Sequence, residues 1–166
     1  MKNLYLITVF LTSLLIGCRE KNDNCTPEST IGNFTAGKQI RMEYDAENNR
    51  NIYSIEDGNN MVFEYKHASA QCANTYDDEL LETLTFEVDK DAKQFKFVDS
   101  QIITSQCFYQ QIGTWVYLSH NEIKSGVIEG TQISEGKWKV TTSVWTTPLL
   151  SAEAPKKIQF EQLFER

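Results

Sequence analysis

Positive charge is in short supply in this chain. Sixteen lysines and arginines stand against 23 aspartates and glutamates, a formal net charge of −7. No cationic cluster exceeds the pair Lys156-Lys157, so nothing offers an electrostatic footprint for nucleic acid. Glycine and proline are sparse too, at 8 and 3 residues. There is no glycine-rich phosphate cradle, no dinucleotide fingerprint and no Gly-x-Ser-x-Gly elbow. The two histidines, His67 and His120, are far apart and stand in no zinc-ligand spacing. Neither a metal nor another cofactor is therefore expected. Long apolar runs are also missing: the longest, over residues 4–16, falls short of the roughly 20 residues a membrane-spanning helix needs.

That short run is nonetheless informative. Lys2 precedes it, Leu15-Ile16-Gly17-Cys18 ends it, and Arg19-Glu20-Lys21-Asn22-Asp23-Asn24 follows, entirely polar. A basic start, an apolar core and a small residue at the end are the three parts of a secretory signal. Leu15-Ile16-Gly17-Cys18 resembles the lipobox of bacterial lipoproteins, which implies cleavage before Cys18 and lipidation of that cysteine. Each buried methylene contributes about 0.8 kcal/mol, so one acyl chain holds marginally and two or more hold stably. By this resemblance Cys18 supplies the membrane contact, and the protein belongs to the cell envelope. Arg19 stands where an aspartate marks inner-membrane retention in some bacteria, which favours the outer membrane. Glu20 and Asp23 resemble the acidic export signals of Bacteroidota surface lipoproteins. The expected organisation is a signal peptide over residues 1–17, a lipidated flexible tether over 18–35 and a single domain over 36–166. Cleavage would leave 149 residues and remove only Lys2 from the charge, giving −8.

Three further cysteines, Cys25, Cys72 and Cys107, would then sit in an oxidising compartment, where thiols tend to pair. With Cys25 assigned to the tether, the expected disulfide is Cys72–Cys107. Closing that loop of about 35 residues would add roughly 3–4 kcal/mol in the chain-entropy model. Cys25–Cys72 and Cys25–Cys107 are the alternatives.

Past the tether the dominant pattern is two-residue alternation, the mark of half-buried strands. Ile40, Met42 and Tyr44 alternate with polar neighbours, as do Met61, Phe63 and Tyr65. Leu84, Phe86 and Val88 follow, then Phe95 and Phe97 after the turn Asp89-Lys90-Asp91-Ala92. Trp138, Val140, Thr142 and Val144 form another set, and Ile158, Phe160, Gln162 and Phe164 the last. Turn chemistry separates them over residues 45–51, at Glu56-Asp57-Gly58-Asn59-Asn60 and at Ser134-Glu135-Gly136, with Asp57-Gly58 the clearest hairpin signal. Only Tyr76-Asp77-Asp78-Glu79-Leu80-Leu81-Glu82 suits a helical turn. The expected fold is all-β, an antiparallel β-sandwich of roughly eight to ten strands, because a sheet with one wet face must bury the other. A lipocalin-like β-barrel is the alternative, since Gly113-Thr114-Trp115 resembles the Gly-x-Trp motif of that family. Residues 125–140 resemble hairpins of small Bacteroidota envelope lipoproteins.

Candidate chemistry is thin. Asp77, Asp78, Glu79 and Glu82 form the densest acidic group, and paired carboxylates run glycoside hydrolysis when held about 5–9.5 Å apart. Adjacency in sequence does not supply that geometry, so a solvated loop is the simpler account and no catalytic residue is assigned. The aromatic residues Phe108, Tyr109, Trp115, Tyr117, Trp138 and Trp145 are better candidates for a contact surface. Alternation from Trp138 places Trp145 on the polar face, beside Leu149 and Leu150. These three are the expected contact residues. The sequence thus predicts a lipid-anchored envelope protein that binds a protein or glycan partner without catalysing a reaction. A lipocalin-like carrier of a small apolar ligand is the second reading and a carbohydrate-active enzyme the third.

Overall fold

The computed structural model describes residues 24–166, apart from positions 74, 77, 115, 117–119 and 149–153. The fold is all-β. In chain order the strands are β1 (Cys25–Thr26), β2 (Ser29–Asp45), β3 (Arg50–Ala68), β4 (Gln71–Cys72), β5 (Leu81–Asp89) and β6 (Gln94–Val98). A 3₁₀ helix (Asp99–Ser105) leads to β7 (Phe108–Ile112), β8 (His120–Ser134), β9 (Lys137–Thr146) and β10 (Lys157–Glu165). β1 and β4 pair only with each other. The remaining eight form one sheet in the order β6-β8-β7-β5-β3-β2-β10-β9, and an added β8–β9 pairing closes it on itself. Closure removes exposed edges, and opposite walls pack face to face as the sheets of a sandwich do.

Pairing is antiparallel except at one seam, where β10 lies parallel to β2 through Glu165 and Asn33. Gly32 makes that seam tight. A Cβ there would stand 2.6 Å from the Leu163 carbonyl oxygen and 2.9 Å from the Phe164 ring. This explains why a strand lies within the expected tether. Its inward positions are Gly32 and Phe34 while Ile31 points outward, so the segment reads as polar although it is barrel wall.

β2 and β3, at 17 and 19 residues, are about three times the length of an ordinary strand and kink together halfway. Residues 29–36 pair with 61–68 in the barrel wall, and 39–45 pair with 50–56 beyond an irregularity around Lys38. Gly37, at φ +74°, accommodates the bend. Asp57-Gly58 is therefore a bulge inside a strand and not a hairpin turn, and the true turn lies before it, at residues 46–49. The distal half folds back as an arm over the outer face of the barrel. Ile40 and Tyr53 join Val62 and Phe108 there in a small second core, and the Ile40 amide donates to Glu87 (2.8 Å). Ile40, Met42 and Tyr44 do share a face, but only Ile40 is buried; Met42 and Tyr44 are exposed.

β6 and β7 behave as one strand interrupted by the 3₁₀ helix. Both pair with β8, at residues 127–131 and 120–122 respectively. The helix covers the break with a fully buried Ile102, and the Asp99 carboxylate accepts the Gly126 amide (2.9 Å). Among the described residues no helix forms over 76–82; the acidic stretch there is irregular and runs into β5.

Inward side chains form layers. His67, Glu82 and Gln111 are cross-strand neighbours at one end of the barrel, with Tyr65, Leu84 and Tyr109 next and Phe63 and Phe86 deeper. Trp138, Val140, Val144 and Phe164 come from the facing wall. The strand ends at His67, Glu82, Gln111, His120, Thr146 and Lys157 lie together at this end, hereafter the mouth.

The cysteines pair differently from the expected Cys72–Cys107 bridge. Cys25 and Cys72, opposite each other in β1 and β4, form the disulfide, and Cys107 is a buried free thiol. Cys107 stands at the base of β7, while Cys72 lies beyond that strand's mouth end. Five strand residues separate those levels, about 17 Å, against the ~7 Å between Cα atoms that a disulfide can bridge.

Candidate functional site

The mouth collects the polar groups that the barrel interior excludes. β5 starts with Leu81 and Glu82, and its inward set is Glu82, Leu84, Phe86 and Val88. Glu82 is thus an acid on an apolar face, with its side chain only 13% exposed. A buried carboxylate needs partners, and it has several. Tyr109 hydroxyl and Lys156 ammonium both donate to Glu82 Oε1, as does Gln111 Nε2 at 3.0 Å. His67 Nδ1 lies 3.2 Å from Oε2, and its Nε2 lies 3.7 Å from Glu28. Lys156 also donates to the Tyr109 oxygen (3.1 Å) and sits over its ring.

Burial alone would raise the Glu82 carboxyl. Hydrogen bonds from Lys156, Tyr109 and His67, with the Lys156 charge, overcome this and hold it at about 2. Burial pushes the Tyr109 phenol well above its ordinary range, and its hydrogen bond to the Glu82 anion adds to this. The result is a fixed ionised carboxylate beside a fixed neutral phenol. Glu82 therefore has no proton to give at neutral pH. These groups, with Glu28, Thr30, Tyr65 and Ile158, line a cavity of about 290 Å³. Tyr65 stacks on Phe160 at 3.8 Å, a flat apolar wall against the polar cluster.

The larger concavity, about 660 Å³, is elsewhere, on the outer face of β6, β8 and β9. Its rim is polar, and its ion pairs, Lys96 with Glu129 and Lys139 with Glu161, are solvent-exposed. The mouth is the better candidate because buried and oppositely charged groups converge there.

The candidates from sequence are scattered. Trp145 is 44% exposed on the outer wall at the mouth end, opposite Lys157 on β10. Cys18, Leu149, Leu150, Asp77, Trp115 and Tyr117 lie outside the described residues. Trp138 is fully buried core. The acidic group does not act together. Asp78 accepts the Cys72 amide at 2.6 Å and so staples the disulfide loop, while Glu82 turns inward. His120 opens β8 with its ring edge against Tyr53 and Phe108, and burial followed by the Arg50 charge lowers its pKa. Among the described residues no group of three potential ligands could hold a metal. Sequence reasoning named Glu82 only as part of an acidic run, and missed Lys156 and His67 as its partners. Continuing the Leu84–Phe86–Val88 alternation back by one step would have put Glu82 on the buried face.

A comparison with known protein families, with curated proteins and with solved structures finds no match to this chain.

The Glu82 cluster predicts a pH dependence. Its carboxyl is lower in the folded than in the unfolded chain, so its contribution is present above about pH 4.5 and lost as pH falls toward 2. A shift from 4.5 to about 2 corresponds to about 3 kcal/mol. Denaturant midpoints measured from pH 7 down to 2 should show this slope in the native chain. Glu82→Gln should flatten it. An unchanged slope in the variant would assign the acid sensitivity to other carboxylates.

Proposed function

We propose that this chain is a lipid-anchored protein of the bacterial cell envelope, held in the outer membrane through Cys18, whose role is to bind rather than to catalyse. It takes a small polar ligand, or the terminal group of a glycan or protein partner, at the barrel mouth. The observation that carries this reading is the mouth cavity itself: an ionised Glu82, a neutral Tyr109 and the Lys156 ammonium meet beside an apolar ring wall. Charge-assisted hydrogen bonding on one side and a flat aromatic surface on the other suit a hydroxyl-bearing group. The lipobox and the Cys25–Cys72 disulfide support export, since disulfides persist in oxidising compartments. Trp145, exposed at the same end, is the adjoining contact residue.

Two features favour this over the alternatives. The barrel centre is filled by Phe63, Phe86, Trp138 and Phe164, each fully buried, which occupies the space an internal apolar ligand would need. A hydrolytic pair needs one carboxylic acid that keeps its proton, whereas Glu82 is held ionised.

The test is gentle solubilisation of the native protein followed by mass spectrometry of what co-purifies. A stoichiometric partner or polar ligand is the expected result. Lys156→Ala should weaken its binding about tenfold, or 1.4 kcal/mol, with the fold retained. An apolar molecule retained equally by Lys156→Ala would overturn the mouth site in favour of a carrier.

A further inference from the structure

The disulfide fixes more than the β1–β4 pair. β4 follows Ala68, the mouth end of β3, and the Ser69 amide bonds to Leu80 beside the start of β5. Cys25, joined to Cys72, is therefore held at the mouth end of the barrel. Only seven residues separate it from Cys18. Even fully extended, they reach at most about 25 Å.

We infer that the barrel stands mouth-down, with its mouth rim resting in the headgroup layer of the membrane that holds Cys18. The inference rests on the lipidation reading above, and it makes the occupant of the mouth cavity a polar group presented at the membrane surface. Two observations point to a lipid surface rather than to solvent. The tether joins the fold at its mouth end, so that end is held within about 25 Å of the membrane that carries Cys18. The rim also carries side chains suited to an interface: Tyr76 at 94% exposure on the loop beyond the disulfide, Ile112 at 43% at the end of β7, and Trp145 at 44% near the end of β9. Amphipathic aromatic rings concentrate at the headgroup level, where one part of the ring is dry and the other wet. Lys157 opens β10 at the same end, where a long cationic side chain extends toward headgroup phosphates.

The experiment is hydroxyl-radical footprinting of the lipidated protein in vesicles of phosphatidylethanolamine and phosphatidylglycerol. Cys18→Ala protein mixed with the same vesicles is the reference. Tyr76, Ile112 and Trp145 should become several-fold less oxidised in the anchored form. Ile133 and Leu163, exposed toward the opposite end, should not change. Equal protection at Ile133 and Leu163 would overturn the inference, as would no protection at Tyr76 and Trp145 on protein whose Cys18 is shown by mass to carry lipid. A Cys18 that carries no lipid removes the anchor reading and this inference with it, and the mass of the N-terminal peptide tells the two failures apart.

Discussion

Replacing Phe63 with alanine should cost this protein about 3–5 kcal/mol, the range for truncating a large aromatic side chain in a core that cannot collapse around the gap. Phe63 is fully buried on β3, and its ring touches five others. Phe34 and Phe86 stack on it at 5.3 and 5.2 Å, Trp138 meets it edge-on at 5.4 Å, and Phe95 and Phe164 flank it at 5.6 Å. These rings come from β2, β5, β6, β9 and β10, so one side chain ties facing walls of the barrel together. The walls are held by interstrand hydrogen bonds, which prevents the cavity from closing. Equilibrium denaturation read by tryptophan fluorescence checks it, because the buried Trp138 reports the same contact. A midpoint loss with an unchanged denaturant slope is expected, since the folded state should lose packing but not compactness. Phe63→Leu should cost clearly less, because most of the volume remains. A loss below about 1 kcal/mol for alanine would mean that the aromatic cluster does not carry the barrel's stability.

The cluster also shows what was legible in the sequence. Phe63, Phe86, Trp138 and Phe164 all fall on inward positions of alternating segments, and the all-β class follows from them. The alternation of β9 runs unbroken from Lys137 to Thr146, so Trp145 stands outside. What failed has physical causes. A stretch whose inward positions are a glycine and one phenylalanine does not look like a strand, so residues 29–35 of β2 read as tether. A two-residue period reports sidedness without saying which surface covers the buried side, so the alternation of Ile40, Met42 and Tyr44 does not reveal that they sit on an arm. Asp57-Gly58 carries the chemistry of a turn, but a bulge uses the same backbone freedom, and only the long-range pairing of residues 61–68 with 29–36 distinguishes the two. The 3₁₀ helix, seven residues long, is too short to show a period. The mouth cluster depends on four elements distant in sequence. Lys156 lies 74 positions from Glu82, and nothing local records that meeting.

The other large effect is expected at the disulfide. Joining residues 47 apart reduces the freedom of the unfolded chain by about 4 kcal/mol in the chain-entropy model. Cys25→Ser and Cys72→Ser should each cost the protein up to that amount, and the double variant should cost no more than either alone, because one bond is lost in every case. The loss should be local in structure. β1 and β4 share two residue pairs and pair with no other strand, so their pairing should go while the barrel remains. Cys107 provides the control. Burial between the 3₁₀ helix and β7 raises its thiol far above the ordinary range, so it should resist alkylation until the chain unfolds. In mature protein Cys107→Ala should leave the crosslink intact, and a non-reducing peptide map should still join the Cys25 and Cys72 fragments. If Cys107→Ala abolished the crosslink while Cys25→Ser left it in place, the pairing would be Cys72–Cys107. Residue 25 would then no longer be tied to the barrel, and the short reach from Cys18 to the mouth would lose its anchor point. The same three variants therefore decide both the covalent framework and the geometric premise of the mouth-down orientation.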